Sequence, residues 1–255
     1  MKKKSFYCPS SIKYSLRHLN KSIRRSLLKS RLVIIILGVM TGLAACKKDK
    51  KDTTLGNTYP KALNAIVTPD ILQSLKTNGA VIYDGLTPPT INGIYLFQPS
   101  YCTFDNSGAN TKGGIYDSYK MKFTNQDNTS NTISFEYLNV SQDLDSGSDE
   151  NATFVTGTDD KFTVFARVTG IAAGINITAL KIVSGQKTST GVASMQYYVY
   201  LISKGNDPDH QLEPVGSTRM FVDADQVSEP QSIFSLPKPA ILFKPTPVPR
   251  SVFAR

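Results

Sequence analysis

From residue 93 to residue 224 the chain alternates apolar and polar residues with a period of two, and no helical stretch interrupts the pattern. A period of two sends successive side chains to opposite faces of a strand. Tyr119, Met121 and Phe123 alternate with Lys120 and Lys122. Ile133, Phe135 and Tyr137 alternate with Ser134 and Glu136, and Phe162, Val164, Ala166 and Val168 with Thr163 and Arg167. Further runs of β-favouring residues at 93–98, 152–156, 175–183, 195–203 and 218–224 bring the expected strands to eight. Gly, Asn, Asp and Pro clusters at 125–131, 157–160, 170–174, 185–191 and 205–209 separate them by hairpin-length loops. Parallel pairing needs a long crossover, usually helical, and there is no room for one. The expected fold is therefore all-β: an antiparallel up-and-down β-barrel of about eight strands, with a β-sandwich as the alternative.

One short helix precedes the strands. Thr68 suits an N-cap, Pro69 the first helical position and Asp70 the positive end of the dipole. Ile71, Leu72 and Leu75 share a face, and Asn78-Gly79 supplies a stop. A meander behind a short helix, its first strand opening Gly93-Ile94-Tyr95, resembles the lipocalin-type barrels in architecture.

The formal charge of +9 suggests a nucleic-acid binder until its location is traced. Ten Lys and Arg precede residue 46, and no acid occurs before Asp49. The remainder carries 19 bases against all 20 acids, a net of −1. With no phosphate-cradling Gly loop and no basic aromatic surface, nucleic acid is not an expected partner.

The basic segment runs into fourteen apolar or small residues, 32–45. A membrane-spanning helix needs about 20. A basic n-region, a short apolar run and small residues before a break instead form a secretory signal. Leu43-Ala44-Ala45-Cys46 resembles a bacterial lipobox. That resemblance implies cleavage before Cys46, acylation of its thiol and new amino terminus, and a mature chain anchored to a membrane through lipid. Residues 47–60, beginning Lys-Lys-Asp-Lys-Lys-Asp, read as a flexible tether. Cys46 followed by this charged run resembles Bacteroidetes-type outer-membrane lipoproteins, as does the Asp52-Thr53-Thr54 triplet, an O-glycosylation pattern of that lineage. The resemblance implies a cell-envelope location, lipid-anchored at the outer membrane. The expected organisation is a signal peptide at 1–45, a lipidated cysteine and tether at 46–60, one β-rich domain at 61–229, and a Pro-rich basic tail at 230–255.

Few residues carry chemistry. Cys8 leaves with the signal and Cys46 takes lipid, so Cys102 stays free and reads as a small buried hydrophobe. His18 is lost too, leaving His210 alone, which excludes a Cys/His metal site. Asp207-Pro208-Asp209-His210 reads as a turn, and no Gly-x-Ser-x-Gly elbow is present, so no catalytic residue is assigned and an enzyme is not expected. Asp143, Asp145, Asp149 and Glu150 are the densest set of oxygen ligands and the candidate calcium loop, calcium being the one cofactor entertained. A solvated hairpin loop is the plainer reading of the same residues. Tyr198 and Tyr200 share a strand face and suit stacking on a sugar or lining a barrel mouth; cross-strand packing accounts for them equally.

The functional expectation is a membrane-anchored envelope lipoprotein whose barrel binds a small apolar ligand or a glycan. The alternative is a structural or interaction lipoprotein that docks an envelope protein.

Overall fold

The computed structural model describes residues 55–109, 111–141, 145–235 and 251–254. All lie in one of the chain's two units, Asp52–Arg255. Cys46, Asp143 and most of the Pro-rich tail fall outside the described residues. No helix among the described residues is long and apolar enough to cross a membrane.

A 3-10 helix, Lys61–Ala65, leads into helix α1, Pro69–Thr77. The expected caps are in place. Thr68 accepts the N–H of Ile71 at 3.3 Å, Gly79 takes a φ of +99°, and the Ala80 N–H closes the last turn on Leu75 O at 3.0 Å. Leu72 and Leu75 are buried.

The chain is all-β beyond this point. Its strands are β1 (Leu86–Thr87), β2 (Gly93–Phe97), β3 (Ser100–Asp105), β4 (Ile115–Tyr116), β5 (Tyr119–Asp127), β6 (Thr132–Asn139), β7 (Ser146–Thr158), β8 (Lys161–Ala172), β9 (Ile175–Lys187), β10 (Val192–Lys204), β11 (Thr218–Asp223) and β12 (Val227–Gln231). Neighbours from β5 to β11 pair antiparallel in sequence order. β12 then pairs with β2 through Glu229↔Leu96, Pro230↔Tyr95 and Gln231↔Ile94, and with β10 through Val192↔Ser228. Because β2 also pairs with β5, the hydrogen bonding closes into a ring of eight strands. Closure removes the unpaired sheet edge that an open meander would expose. β11 extends the wall through β3 to β4, and β1 runs parallel to β7.

β1, β3, β4 and β12 were not among the eight expected strands. β12 contains Pro230 and reads as the start of the tail, yet it is the strand that closes the ring.

The barrel has apolar clusters on both sides of its wall. Tyr95, Phe97, Tyr119, Met121, Phe123, Phe135, Tyr137, Phe162, Tyr197 and Phe221 fill the lumen. An eight-stranded ring leaves an interior that side chains can just fill. On the outside, Leu55, Tyr59, Leu63, Val67, Leu72 and Leu75 cover Phe154, Phe165, Leu180, Ile182 and Tyr198. This explains why β8 and β9 are buried on consecutive residues rather than alternate ones. It also shows that Leu55 and Tyr59, expected in the tether, belong to the folded domain.

Candidate functional site

The lumen contains a charged centre. β9 alternates Ala179, Lys181 and Val183 toward the inside, so Lys181 enters the barrel by the same register that buries its neighbours. It is fully buried. Its Nζ lies 3.4 Å from the Tyr137 ring centroid, 4.7 Å from Tyr197, 4.8 Å from Phe253 and 5.9 Å from Tyr119. It also donates a hydrogen bond to the Tyr197 hydroxyl. Four ring faces thus replace much of the water that an ammonium loses on burial. Burial pulls the amine from 10.5 down to about 7, while the nearby Asp145 carboxylate pulls the other way.

Asp145 sits just before β7, buried, and accepts from the Tyr119 hydroxyl and from Ser251 Oγ at 2.5 Å. Burial raises its carboxyl; Lys181, Ser251 and Tyr119 oppose the rise. The polar chain continues through Asn139, whose N–H donates to Asp145 O at 2.9 Å and whose Nδ2 donates to Asp117 Oδ2 at 2.6 Å. Asp117 is pushed up to about 6, first by burial and then by the Asp145 charge.

Tyr137 reaches over Lys181 because two glycines face it across the sheet. Tyr137, Gly147 and Gly170 share one register row. A Cβ on Gly147 would lie 2.7 Å from Tyr137 Cε1, and one on Gly170 2.9 Å from its hydroxyl. No side chain fits there.

Residues 251–254 form the rest of the lumen. Val252 and Phe253 are buried, and a second charge, Arg219 of β11, holds their main chain. Its Nη1 donates to Val252 O at 3.1 Å and Ala254 O at 2.6 Å, its Nε to Asp105 Oδ2 at 3.2 Å, and its Nη2 to Glu213. Burial pushes the Asp105 carboxyl up, but hydrogen bonds from Ser107 and Thr111 and the Arg219 charge outweigh it and hold the group at about 2. The void beside Val252 and Phe253 measures about 10 Å³, room for no more than one water. While the segment is in place, no small apolar ligand fits at this end of the barrel.

Among the recesses outside the wall, two bear on the expected sites. The larger, about 920 Å³, opens across one end of β6 to β10. Glu136, Leu138, Ser148, Thr169, Thr178 and Ser203 line its floor, and Phe234 forms a wall. Phe234 is steadied by Lys122, whose Nζ lies 5.3 Å from its ring centroid, and by the preceding chain, where Lys120 holds Ile233 O at 3.0 Å. The smaller, about 220 Å³, lies between α1 and the sheet and is lined by Tyr198 and Tyr200.

The two tyrosines are therefore neighbours on one face, as expected, but on the outer wall beneath α1 rather than at a barrel mouth. Tyr198 is buried and accepts the Val81 N–H at 2.9 Å. Of the candidate calcium ligands, Asp145 turns into the lumen, Asp149 Oδ2 accepts the Phe135 N–H at 3.3 Å, and Glu150 pairs with exposed Arg167 at 2.7 Å. The structure does not bring these three together, and no group of three or more metal-ligating side chains forms among the described residues. Cys102 is buried and free, and burial raises its thiol. His210 is exposed on a turn organised by Asp207, which accepts the Gln211 and Leu212 N–H groups and pairs with Lys204 at 2.7 Å.

Lys181 and Arg219 escaped the sequence reading, although a signal for both was present. Each is a long cation in phase with inward apolar residues, Lys181 with Val183 and Arg219 with Phe221. No protein-family model, curated protein or solved structure was found to match this chain.

Proposed function

We propose that the chain is a lipid-anchored lipoprotein of the cell envelope, at the outer membrane, whose barrel domain binds a glycan in the open recess across β6 to β10. The recess carries this reading. Its floor is a field of hydroxyl groups, Ser148, Thr169, Thr178 and Ser203, with the Glu136 carboxylate beside them and the Phe234 ring as an apolar wall. Hydroxyls and carboxylates exchange hydrogen bonds with sugar hydroxyls, and a ring face covers the sugar's C–H face. An open trough also admits a chain longer than one residue. A small apolar ligand lacks this support, because buried aromatic side chains and residues 251–254 occupy the lumen and leave about 10 Å³ beside Val252 and Phe253. Anchoring rests on Leu43-Ala44-Ala45-Cys46 and the basic segment before it.

A second reading, docking of an envelope protein, has its own observation. Tyr101 and Ile115 pair across β3 and β4 on the outer surface and are 39% and 64% exposed.

Titration of chain 46–255, carrying Cys46→Ala, with maltoheptaose, cellohexaose and xylohexaose tests the glycan site. At least one is expected to bind, and Phe234→Ala to weaken it about tenfold, or about 1.4 kcal/mol, without lowering the melting temperature. Failure of all three, or an unchanged affinity in Phe234→Ala, counts against the reading. Palmitate labelling of the full chain, lost in Cys46→Ala, tests the anchor.

A further inference from the structure

Residues 251–254 are held as a bound peptide is held, not as a strand. A strand is fixed by a ladder of main-chain bonds to its neighbours, and here a single isolated bridge, Leu212↔Ala254, is of that kind. The segment itself is a tight turn, closed by the Ala254 N–H on Ser251 O at 2.9 Å, and most of its other contacts are captures by side chains. Arg219 donates to the carbonyls of Val252 and Ala254, on either side of Phe253, and the Tyr119 hydroxyl accepts the Val252 N–H at 3.1 Å. Beside the bridge, the Glu213 N–H donates to the intervening Phe253 carbonyl at 3.0 Å, main chain to main chain. Two side chains are read individually. Ser251 Oγ donates to Asp145 at 2.5 Å, and the Phe253 ring enters the cage at 4.8 Å from Lys181 Nζ. Main-chain bonds supply affinity in such sites, and pockets for particular side chains supply sequence preference.

The residues that do this come from β5, β9 and β11 and from the segments just before β7 and β11, so the receptor is complete without the segment it holds. Withdrawal of the segment takes two carbonyls from Arg219, the Ser251 hydroxyl from Asp145 and one ring from Lys181, which favours entry of another occupant that brings the same groups.

We propose that the barrel lumen is a peptide-binding site whose ligand class is a turn-forming segment with a hydroxyl residue, an aliphatic residue and an aromatic residue in succession, and that residues 251–254 are its resident, exchangeable occupant. This site is separate from the outer recess and does not depend on the glycan reading.

The test uses chain 46–255 with Cys46→Ala and a site-specific protease sequence inserted between residues 240 and 245. The chain is folded, cut, and mixed with a fluorescent peptide covering residues 245–255. The cut chain is expected to take up the labelled peptide, unlabelled peptide to compete it off, and a peptide with Phe253→Ala to bind at least tenfold more weakly. Uncut chain should take up less than the cut chain, because its own segment competes. If cutting unfolds the chain and added peptide refolds it, the site is equally supported. A cut chain that stays folded but takes up no label over a day of incubation overturns the proposal, because the segment is then a permanent piece of core. Unfolding that peptide does not reverse, or uptake indifferent to Phe253→Ala, overturns it as well.

Discussion

The Lys181 ammonium lies 3.4 Å from the centre of the Tyr137 ring, inside a closed barrel and out of reach of solvent. The position is sustained by a division of labour. Rings of Tyr137, Tyr197, Phe253 and Tyr119 face the charge, Asp145 balances it, and Gly147 and Gly170 leave the space that Tyr137 occupies. Each part yields a measurable consequence.

Burial lowers the Lys181 amine to about 7, whereas in the unfolded chain it titrates near 10.4. Below pH 7 both states hold the proton and the cost of burying the charge is fully present. Between pH 7 and about 10 the unfolded chain keeps a proton that the native state has released, so stability rises with pH. Urea unfolding at pH 7 and pH 9.5 should show a gain on the order of 1–3 kcal/mol from this group. Lys181→Met should abolish the gain. A variant with the same pH dependence as the parent would show that Lys181 does not titrate in this window.

Asp223 gives the opposite slope on the acid side. It is buried, accepts from Ser228 Oγ and lies near Asp225, and burial followed by that second carboxyl pushes it up to about 7. Between pH 4 and pH 7 the native state keeps a proton that the unfolded chain has lost, so stability falls as pH rises through that range. The melting temperature should therefore be higher at pH 5 than at pH 7. Asp223→Asn should reduce this difference, leaving the part that Asp117, pushed up to about 6, contributes, and should leave the alkaline rise from Lys181 intact.

Gly147→Ala should destabilise the barrel by about 1–3 kcal/mol, the usual cost of forcing atoms into a filled core. Its Cβ would meet Thr169 O at 2.5 Å and Tyr137 Cε1 at 2.7 Å. Pairing the change with Tyr137→Leu should recover part of the loss, because the smaller side chain vacates that space. A double-mutant cycle in denaturant measures the coupling.

Arg219→Met leaves Asp105 and Glu213 buried beside an apolar side chain, and two carbonyls of residues 251–254 lose their donor. Removing one partner of a buried ion pair costs about 3–5 kcal/mol. The loss should appear in chemical denaturation at pH 7 and shrink toward pH 4, as Asp105, released from about 2, becomes able to protonate.

The alternation of Tyr119, Met121 and Phe123 with two lysines determined, from sequence alone, which face of β5 is inside. Thr68, Pro69 and Gly79 likewise determined where α1 begins and ends. These features are local: side-chain period, caps and turns act over a few residues, and nothing distant alters them. The position of Tyr198 and Tyr200 was half legible, since their shared face follows from spacing but its cover by α1 does not. The closing strand was not legible. Val227–Gln231 carries Ser, Glu and Pro, and its pairing with β2 spans more than half the chain. Its strand character comes from the two edges that it joins rather than from its own residues.

The functional centre shows the same division. The sequence places Lys181 in phase with Val183, and Asp145 in an acidic loop that resembles a calcium site. Only closure of the ring brings that carboxylate, the lysine, four aromatic rings and residues 251–254 into one lumen. Inward direction is a property of strand periodicity and is written locally. Which inward groups meet depends on register around the whole barrel, and that register is set by long-range pairing that no short stretch of sequence encodes.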